Sequence, residues 1–203
     1  MTRIMTLAAL GALALGTAAC KQDATTVSNN VAGTPDGGTD EPGVANLGAS
    51  AAAPAGMAMS AQQFVDTAAG SDLFEIATGR LAQQRGSAAE IKAFGGMLVD
   101  EHEKASTELK AAAAKVSGVA VPLVPPPELQ ARIDALRGLQ GEAFDRQFIA
   151  DQIAAHRQTL AALNAYAASG EAQPLKQHAA RDSGVVQKHL NELKQLNKQG
   201  ERP

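Results

Sequence analysis

Apolar residues recur every three or four positions along most of the chain, which is the spacing of amphipathic helices. No segment shows the strict alternation that is typical of a half-buried strand. Glycine and proline residues interrupt the pattern and divide it into four long helices and one short helix. We predict these helices at about 61–85, 87–117, 127–138, 142–168 and 173–197.

Two helix starts carry the sequence signal of a capping box, in which a Ser and a Gln or Glu three residues later bond to each other's backbone N–H groups. The first signal pairs Ser60 with Gln63, and the second pairs Ser87 with Glu90. Gly86 stands between the first two helices, where a left-handed residue commonly ends a helix. These signals predict a hairpin of two helices with a tight turn.

The connection lengths predict how the four long helices are arranged. Short links join the first pair and the last pair, whereas a much longer segment with its own short helix separates the two pairs. This pattern suits a ferritin-like bundle with one crossover. The predicted fold class is therefore all-α, a ferritin-like four-helix bundle with a short extra helix in the crossover. A simple up-and-down bundle is the alternative.

The N-terminus resembles a bacterial lipoprotein signal. A basic residue, a short apolar run and small residues precede Cys20, as in a secretory signal peptide. The apolar run is too short to span a bilayer. We expect cleavage before Cys20 and lipidation of this cysteine; cleavage beside a free thiol is the alternative. Lys21 follows, which by resemblance to enterobacterial sorting favours an outer-membrane lipoprotein facing the periplasm of the bacterial cell envelope.

The segment after the cysteine is rich in small and polar residues and has too few large apolar ones to offset the entropy cost of folding. We therefore expect a flexible, low-complexity tether between the lipid anchor and the bundle. The predicted organisation is a signal peptide (1–19), the lipidated cysteine and tether (20–60), the four-helix bundle (61–198) and a C-terminal tail (199–203).

Composition and charge narrow the classes of function. The 203 residues carry a net charge of -3 at pH 7, which argues against a nucleic-acid-binding protein. The single cysteine excludes an internal disulfide framework and a cysteine-based zinc module. No Ser-His-Asp arrangement and no phosphate-binding glycine loop is recognisable, so no catalytic residue is predicted and an enzyme is not favoured. The expected partners are the membrane, through the lipid anchor, and an envelope protein that the sequence does not identify.

Three of the four histidines fall on the apolar stripes of three different helices: His102, His156 and His189. Glu75 shares the apolar side of the first helix, and Asp182 lies two turns before His189 on the same stripe. A buried charge without a partner is costly, so these groups must be paired. His178 lies off the main stripe of its helix, and we expect it to be solvent-exposed.

One hypothesis is a metal site inside the bundle, because neutral imidazole is the commonest transition-metal ligand and facing helices bring distant residues to one ion. The predicted ligands, for Fe, Zn, Cu or Mn, are Glu75, His102, His156 and His189. Such a protein would serve in metal storage, buffering or stress protection. The alternative is a structural or interaction protein of the envelope, in which a buried cluster joins the histidines to carboxylates, Gln152 or backbone. No Glu stands three residues before a histidine, so di-iron carboxylate chemistry is not expected.

Several segments together resemble a bacterial protein family, the domain of unknown function 4142. They are Glu75–Leu81, Ile91–Phe94, Met97–His102, Phe144–Asp145, Ile153–His156 and the stretch from Leu175 to Leu190. The resemblance covers about residues 60–197 and implies an exported or outer-membrane protein with a ferritin-like bundle. It matches characteristic positions of the family to Glu75, His102, Asp145, His156 and His189. In the metal hypothesis, Asp145 and Asp182 lie behind the ligands and support them. The family has no established activity.

Overall fold

The computed structural model describes residues 58–200, and within this range the fold is an all-α bundle, as predicted. The signal peptide, Cys20 and nearly all of the predicted tether lie outside the described residues. The five helices are α1 (Ala61–Arg85), α2 (Ala89–Ala113), α3 (Pro127–Arg137), α4 (Gly141–Ser169) and α5 (Gln173–Gly200). No helix within residues 58–200 is long and apolar enough to cross a membrane.

The packing of the long helices shows the one-crossover arrangement rather than the up-and-down one. α1 packs against α2 and α4, and α5 packs against α4 and α2. The start of α4 lies beside the turn between α1 and α2, where Asp145 accepts a hydrogen bond from the backbone N–H of Ser87. α4 therefore runs antiparallel to α1 and parallel to α2, and α3 lies in the crossover against α1 and α4.

The predicted capping box of α1 is confirmed, whereas that of α2 is wrong. Ser60 and Gln63 form the capping box at α1. At α2 the helix begins at Ala89 instead of residue 87, and no side chain of its own caps it. Asp145 on α4 does so instead, because it accepts hydrogen bonds from the backbone N–H groups of Ser87 and Ala88 and from the Ser87 hydroxyl. At its other end α2 stops at Ala113, one turn earlier than predicted.

Gly86 is required for a different reason from the one predicted. Its φ of -58° and ψ of 147° are not left-handed. A Cβ at this position would lie 2.7 Å from the carbonyl oxygen of Ala82, which is too close. The turn between α1 and α2 therefore needs glycine for space and not for a positive φ.

The apolar core has three parts. One end of the bundle, where α1 begins, contains a group of large side chains that includes Phe64, Leu109, Tyr166 and Leu175. The other end contains a second group that includes Phe94, Phe144, Phe148 and Leu193. A third, smaller group joins α3 to α1 and α4 through Phe74, Ile133 and Ala155. The three core histidines and Glu75 lie between the two end groups, in the middle of the bundle, whereas Asp145 lies at the end where α2 starts.

Candidate metal centre

Three histidines from three helices meet in the middle of the bundle. His102 on α2, His156 on α4 and His189 on α5 are each no more than 2 % exposed. Their ring centroids are 6.1 Å (His102–His156), 5.5 Å (His102–His189) and 5.4 Å (His156–His189) apart. One ring nitrogen of each histidine lies within 4.8 Å of the corresponding nitrogens of the other two.

The topology explains why these residues lie at one height. α2 and α4 start at the same end of the bundle, and α5 ends there. At 1.5 Å per residue, His102 and His156 lie roughly 20 Å from their helix starts, and His189 lies roughly 17 Å from the end of its helix. The crossover thus brings the three residues into one layer, which connection lengths alone did not establish.

Asp72 on α1 holds the first histidine. Nδ1 of His102 lies 2.9 Å from Oδ1 of Asp72, and both side chains are almost completely buried. Burial alone lowers the pKa of His102. The hydrogen bond to Asp72 and the nearby carboxyl of Glu75 outweigh that effect and raise the pKa to about 9.

His156 is held by its own helix. Its Nδ1 donates a hydrogen bond of 2.9 Å to the backbone carbonyl of Gln152, which can only accept, so Nδ1 carries the proton. Oε1 of Glu75 lies 3.4 Å from the same nitrogen. Burial, reinforced by the positive charge of His102, lowers the pKa of His156 to about 3. Burial likewise raises the pKa of Glu75 to about 8. At neutral pH His156 is therefore neutral and Glu75 is mostly protonated.

Glu101 on α2 holds the third histidine. Its Oε2 accepts a hydrogen bond of 2.7 Å from Nε2 of His189, across the seam between α2 and α5. The Glu101 side chain is 46 % exposed, whereas His189 is buried. Burial lowers the pKa of His189, so this ring is neutral as well.

Each ring therefore uses one nitrogen to fix its position and leaves the other without a partner. The free nitrogens are Nε2 of His102, Nε2 of His156 and Nδ1 of His189. In metal sites, a ligating histidine typically donates its second N–H to a carboxylate or a backbone carbonyl, which sets the tautomer and the ring orientation. All three histidines have such a partner.

The predicted residues do not all join this group. Glu75 is buried beside His156, but it contacts the nitrogen that is already bonded and is not among the three converging ligands. Asp182 lies close enough to Asp72 and His102 for their charges to act on it; burial and the Asp72 charge raise its pKa to about 6. The expectation for Asp145 is wrong. It lies three turns before His156 on α4 and caps α2, because the turn offers it unpaired N–H groups.

The expectation for His178 is also wrong. This residue is 1 % exposed and packs edge-on against Phe64, with ring centroids 6.4 Å apart. It lies three residues after the buried Leu175 and four before Asp182, so it shares the buried stripe of α5. Its Nδ1 has no partner, but it is not part of the three-histidine group.

The roles of Asp72 and Glu101 were missed by sequence reasoning. Asp72 lies three residues before Glu75 and so on the same side of α1, which is a usable signal. Glu101 has no such signal, because it follows an aspartate in a run of charged residues and its partner, His189, is on another helix.

The comparisons with known proteins support the predicted family and nothing more specific. No curated protein and no solved structure matches the chain. The model of the family described as a domain of unknown function, DUF4142, matches residues 46–196, which is most of the chain. The chain therefore belongs to the DUF4142 family.

Proposed function

We propose that this protein binds one divalent transition-metal ion through His102, His156 and His189. The observation that carries the proposal is the meeting of three buried histidines that have ring nitrogens within 4.8 Å of one another, each of which keeps one ring nitrogen without a hydrogen-bond partner. Buried polar atoms in native proteins are nearly always paired, and exceptions on three neighbouring histidines, with two more on the adjacent Glu75 and Gln152, call for a common cause. A metal ion supplies one partner to all three nitrogens.

The surrounding groups fit such an ion. A tetrahedral ion about 2.1 Å from each nitrogen separates the nitrogens by about 3.4 Å, so binding draws the three rings slightly together. The carboxyl groups of Asp72 and Glu75 lie beside the histidines and can offset the charge of the ion in the buried site. Three protein ligands leave a coordination position for water.

The ligand set favours some metals over others. Three neutral imidazoles suit Zn, Cu, Fe and Ni, whereas Mn and Mg prefer carboxylate and water oxygens. Affinity for the same nitrogen site rises along the divalent series from Mn to Cu and falls again at Zn. Of the four metals predicted from the sequence, Cu²⁺ and Zn²⁺ therefore suit this site best and Mn²⁺ least.

The proposed biological role is to buffer metal in the bacterial cell envelope. One three-nitrogen site holds one ion per chain, which suits buffering or sequestration better than bulk storage. The proposed location rests on the lipoprotein-like sequence before Cys20. It is tested by mass spectrometry of the N-terminal peptide and by membrane fractionation. A Cys20→Ser variant should lose the lipid and leave the membrane fraction, and an unmodified cysteine in the wild type contradicts this part of the proposal.

The metal proposal is tested by elemental analysis of the protein purified without a histidine tag and then incubated with Zn²⁺, Cu²⁺, Fe²⁺ or Mn²⁺. The wild type should retain about one equivalent after desalting. His102→Gln and His156→Gln should lose it. His178→Gln is the matched control, because His178 is an equally buried histidine outside the group. It should retain the metal.

The competing function is structural. The Asp72–His102 hydrogen bond joins α1 to α2, and the Glu101–His189 bond joins α2 to α5, so the cluster can also act as a set of polar links between helices. A wild type that takes up none of the four metals refutes the metal proposal and leaves this structural function. A histidine variant that binds metal as well as the wild type contradicts the proposed ligands.

A further inference from the structure

The three histidines are enclosed on most sides, which raises the question of how an ion reaches them. Groups of large apolar side chains close the bundle above and below the cluster. α3 covers the side between α1 and α4, where Phe74, Ile133 and Ala155 pack together. α4 and α5 pack against each other along their lengths. Apolar side chains therefore cover the cluster on these sides, and polar side chains that cross from α1 to α4, such as Ser71 and Thr159, are buried and bonded to each other.

The side between α1 and α2 is closed as well. A Cβ at Gly79 would lie 2.6 Å from the carbonyl oxygen of Gly95, so the two backbones are in direct contact there. On the outside, Arg80 and Glu103 form an ion pair of 2.7 Å across the same seam. A cation that approached here would meet a bound guanidinium and then packed backbone.

The seam between α2 and α5 differs from the others. These two helices have the least extensive contact among the long-helix pairs that pack together. An open groove of about 530 Å³ follows the seam towards the start of α2 and is lined partly by Glu90, Lys188 and Glu192. Glu101 and His189 bridge the seam itself.

Glu101 is also the only solvent-exposed member of the groups that hold the three rings. The Asp72 side chain is 5 % exposed and that of Glu75 is 1 % exposed, whereas that of Glu101 is 46 % exposed. Its carboxylate therefore faces solvent and a ligand-bearing ring at the same time. A carboxylate in this position attracts cations from solution.

We propose that metal ions enter and leave the site through the α2–α5 seam, with Glu101 as the first contact of the incoming ion and as the residue that positions His189. This inference rests on the proposed metal function. It makes Glu101 a positioning residue and not a ligand. Removal of its charge should slow metal association. A shorter side chain at this position should hold the His189 ring less firmly, because its carboxylate no longer reaches the ring nitrogen as well.

The test is stopped-flow mixing with Co²⁺, whose absorption bands report binding to nitrogen ligands, followed by a chelator chase for dissociation. Glu101→Gln keeps an acceptor for His189 but loses the charge. A divalent ion about 5 Å from a single carboxylate in water is attracted enough to change a rate by roughly tenfold. We expect association to slow by roughly that factor at low salt, and the difference should shrink at high salt.

Two further variants separate the roles of this residue. Glu101→Asp keeps the charge on a shorter side chain, so association should stay near the wild-type rate while dissociation becomes faster. Asp100→Asn is the matched control, because it removes one charge from the neighbouring exposed position. It should change association much less than Glu101→Gln does.

The outcomes distinguish this inference from the proposed function. A wild type without Co²⁺ bands refutes the metal site itself, and the access route with it. A wild type that binds Co²⁺, with Glu101→Gln and Asp100→Asn equally slow, overturns the access route alone. So does a Glu101→Asp variant as slow as Glu101→Gln, or a Glu101→Gln variant that loses metal while associating at the wild-type rate.

Discussion

Metal binding to this bundle should release two protons per divalent ion, and the reason is the charge of the buried cluster. Without metal at neutral pH, His102 is positively charged because its pKa is raised to about 9, and it faces the Asp72 carboxylate. Glu75 is protonated because its pKa is raised to about 8. His156 is neutral because its pKa is lowered to about 3. The buried groups of the site are then close to neutral overall, whereas the half-buried Asp182, whose pKa is raised only to about 6, is mostly ionised at pH 7.

A divalent ion keeps this balance only if two protons leave. His102 must give up the proton that occupies its free nitrogen, because that nitrogen becomes a ligand. If Glu75 kept its proton, the buried groups would carry an extra positive charge, which is costly and which the half-buried Asp182 offsets only in part because solvent screens its charge. Loss of the Glu75 proton restores the neutrality of the buried groups, since the ion is then offset by the two buried carboxylates of Asp72 and Glu75.

The consequence is a steep pH dependence. Two protons released per ion correspond to about a hundredfold increase in affinity per pH unit between pH 6.5 and 8, or about 2.7 kcal/mol. Between pH 8 and 9 only His102 still carries a proton, so the increase should fall to about tenfold per unit. The sign is fixed because both pKa values are raised, so the metal-free protein holds protons that the metal-bound form does not.

Isothermal titration calorimetry in buffers of different ionisation enthalpy measures the number of protons directly. The wild type should release about two at pH 7, and Glu75→Gln should release about one and bind more weakly. Gln152→Leu, a change next to Glu75 that removes no titratable group, should still release about two. A wild type that releases no proton refutes the charge argument, and equal release by wild type and Glu75→Gln refutes the role of Glu75.

Three further predictions concern folding in the metal-free state, measured by urea denaturation. The free energy of unfolding should fall as pH rises from 6.5 to 8, because the raised pKa values of Glu75 and His102 let the native state hold protons that the unfolded chain gives up. From about pH 4.5 to 6.5 the curve should be flatter, because the lowered pKa values of His156 and His189 act against the raised pKa values of Glu75 and Asp182. A free energy of unfolding that does not fall between pH 6.5 and 8 would contradict the shifts of Glu75 and His102. Gly184→Ala should stabilise the protein by about 0.5–1 kcal/mol, because Gly184 lies inside α5 with open space around its Cβ position; a loss of stability would mean that this helix needs the glycine. Asp145→Ala should destabilise it by about 1–2 kcal/mol, since the start of α2 loses its cap, yet metal stoichiometry should not change.

The sequence was sufficient for the parts of the fold that depend on local physics. Helix spacing, the capping box at Ser60 and the proline that begins α3 act within a few residues, and the structure confirms each of them. The long crossover also determined which helices are neighbours. The capping box predicted for α2 was wrong because the cap comes from Asp145, which lies more than fifty residues away in sequence. Local rules contain no information about such a partner.

The same distinction between local and long-range information applies to the candidate site. The apolar stripes placed His102, His156 and His189 in the interior, because burial follows from helical periodicity. Periodicity does not give the height of each residue relative to the other helices, so their meeting in one layer depended on the crossover. The hydrogen-bond partners of the rings depend on which side chains of neighbouring helices lie close enough to bond. The residues next to Glu101 in the sequence therefore could not show that it bonds to His189.

The arrangement of the partners is what distinguishes a metal site from an ordinary polar cluster. In a cluster that exists only for stability, the most stable arrangement pairs every buried nitrogen, because an unpaired one destabilises the protein by about 1–3 kcal/mol. Here each ring bonds one nitrogen to a group outside the three histidines and keeps the other nitrogen without a partner. The metal-free bundle therefore carries an unfavourable free energy that a bound cation would remove, and the bonded nitrogen of each ring has the kind of partner that metal-ligating histidines have.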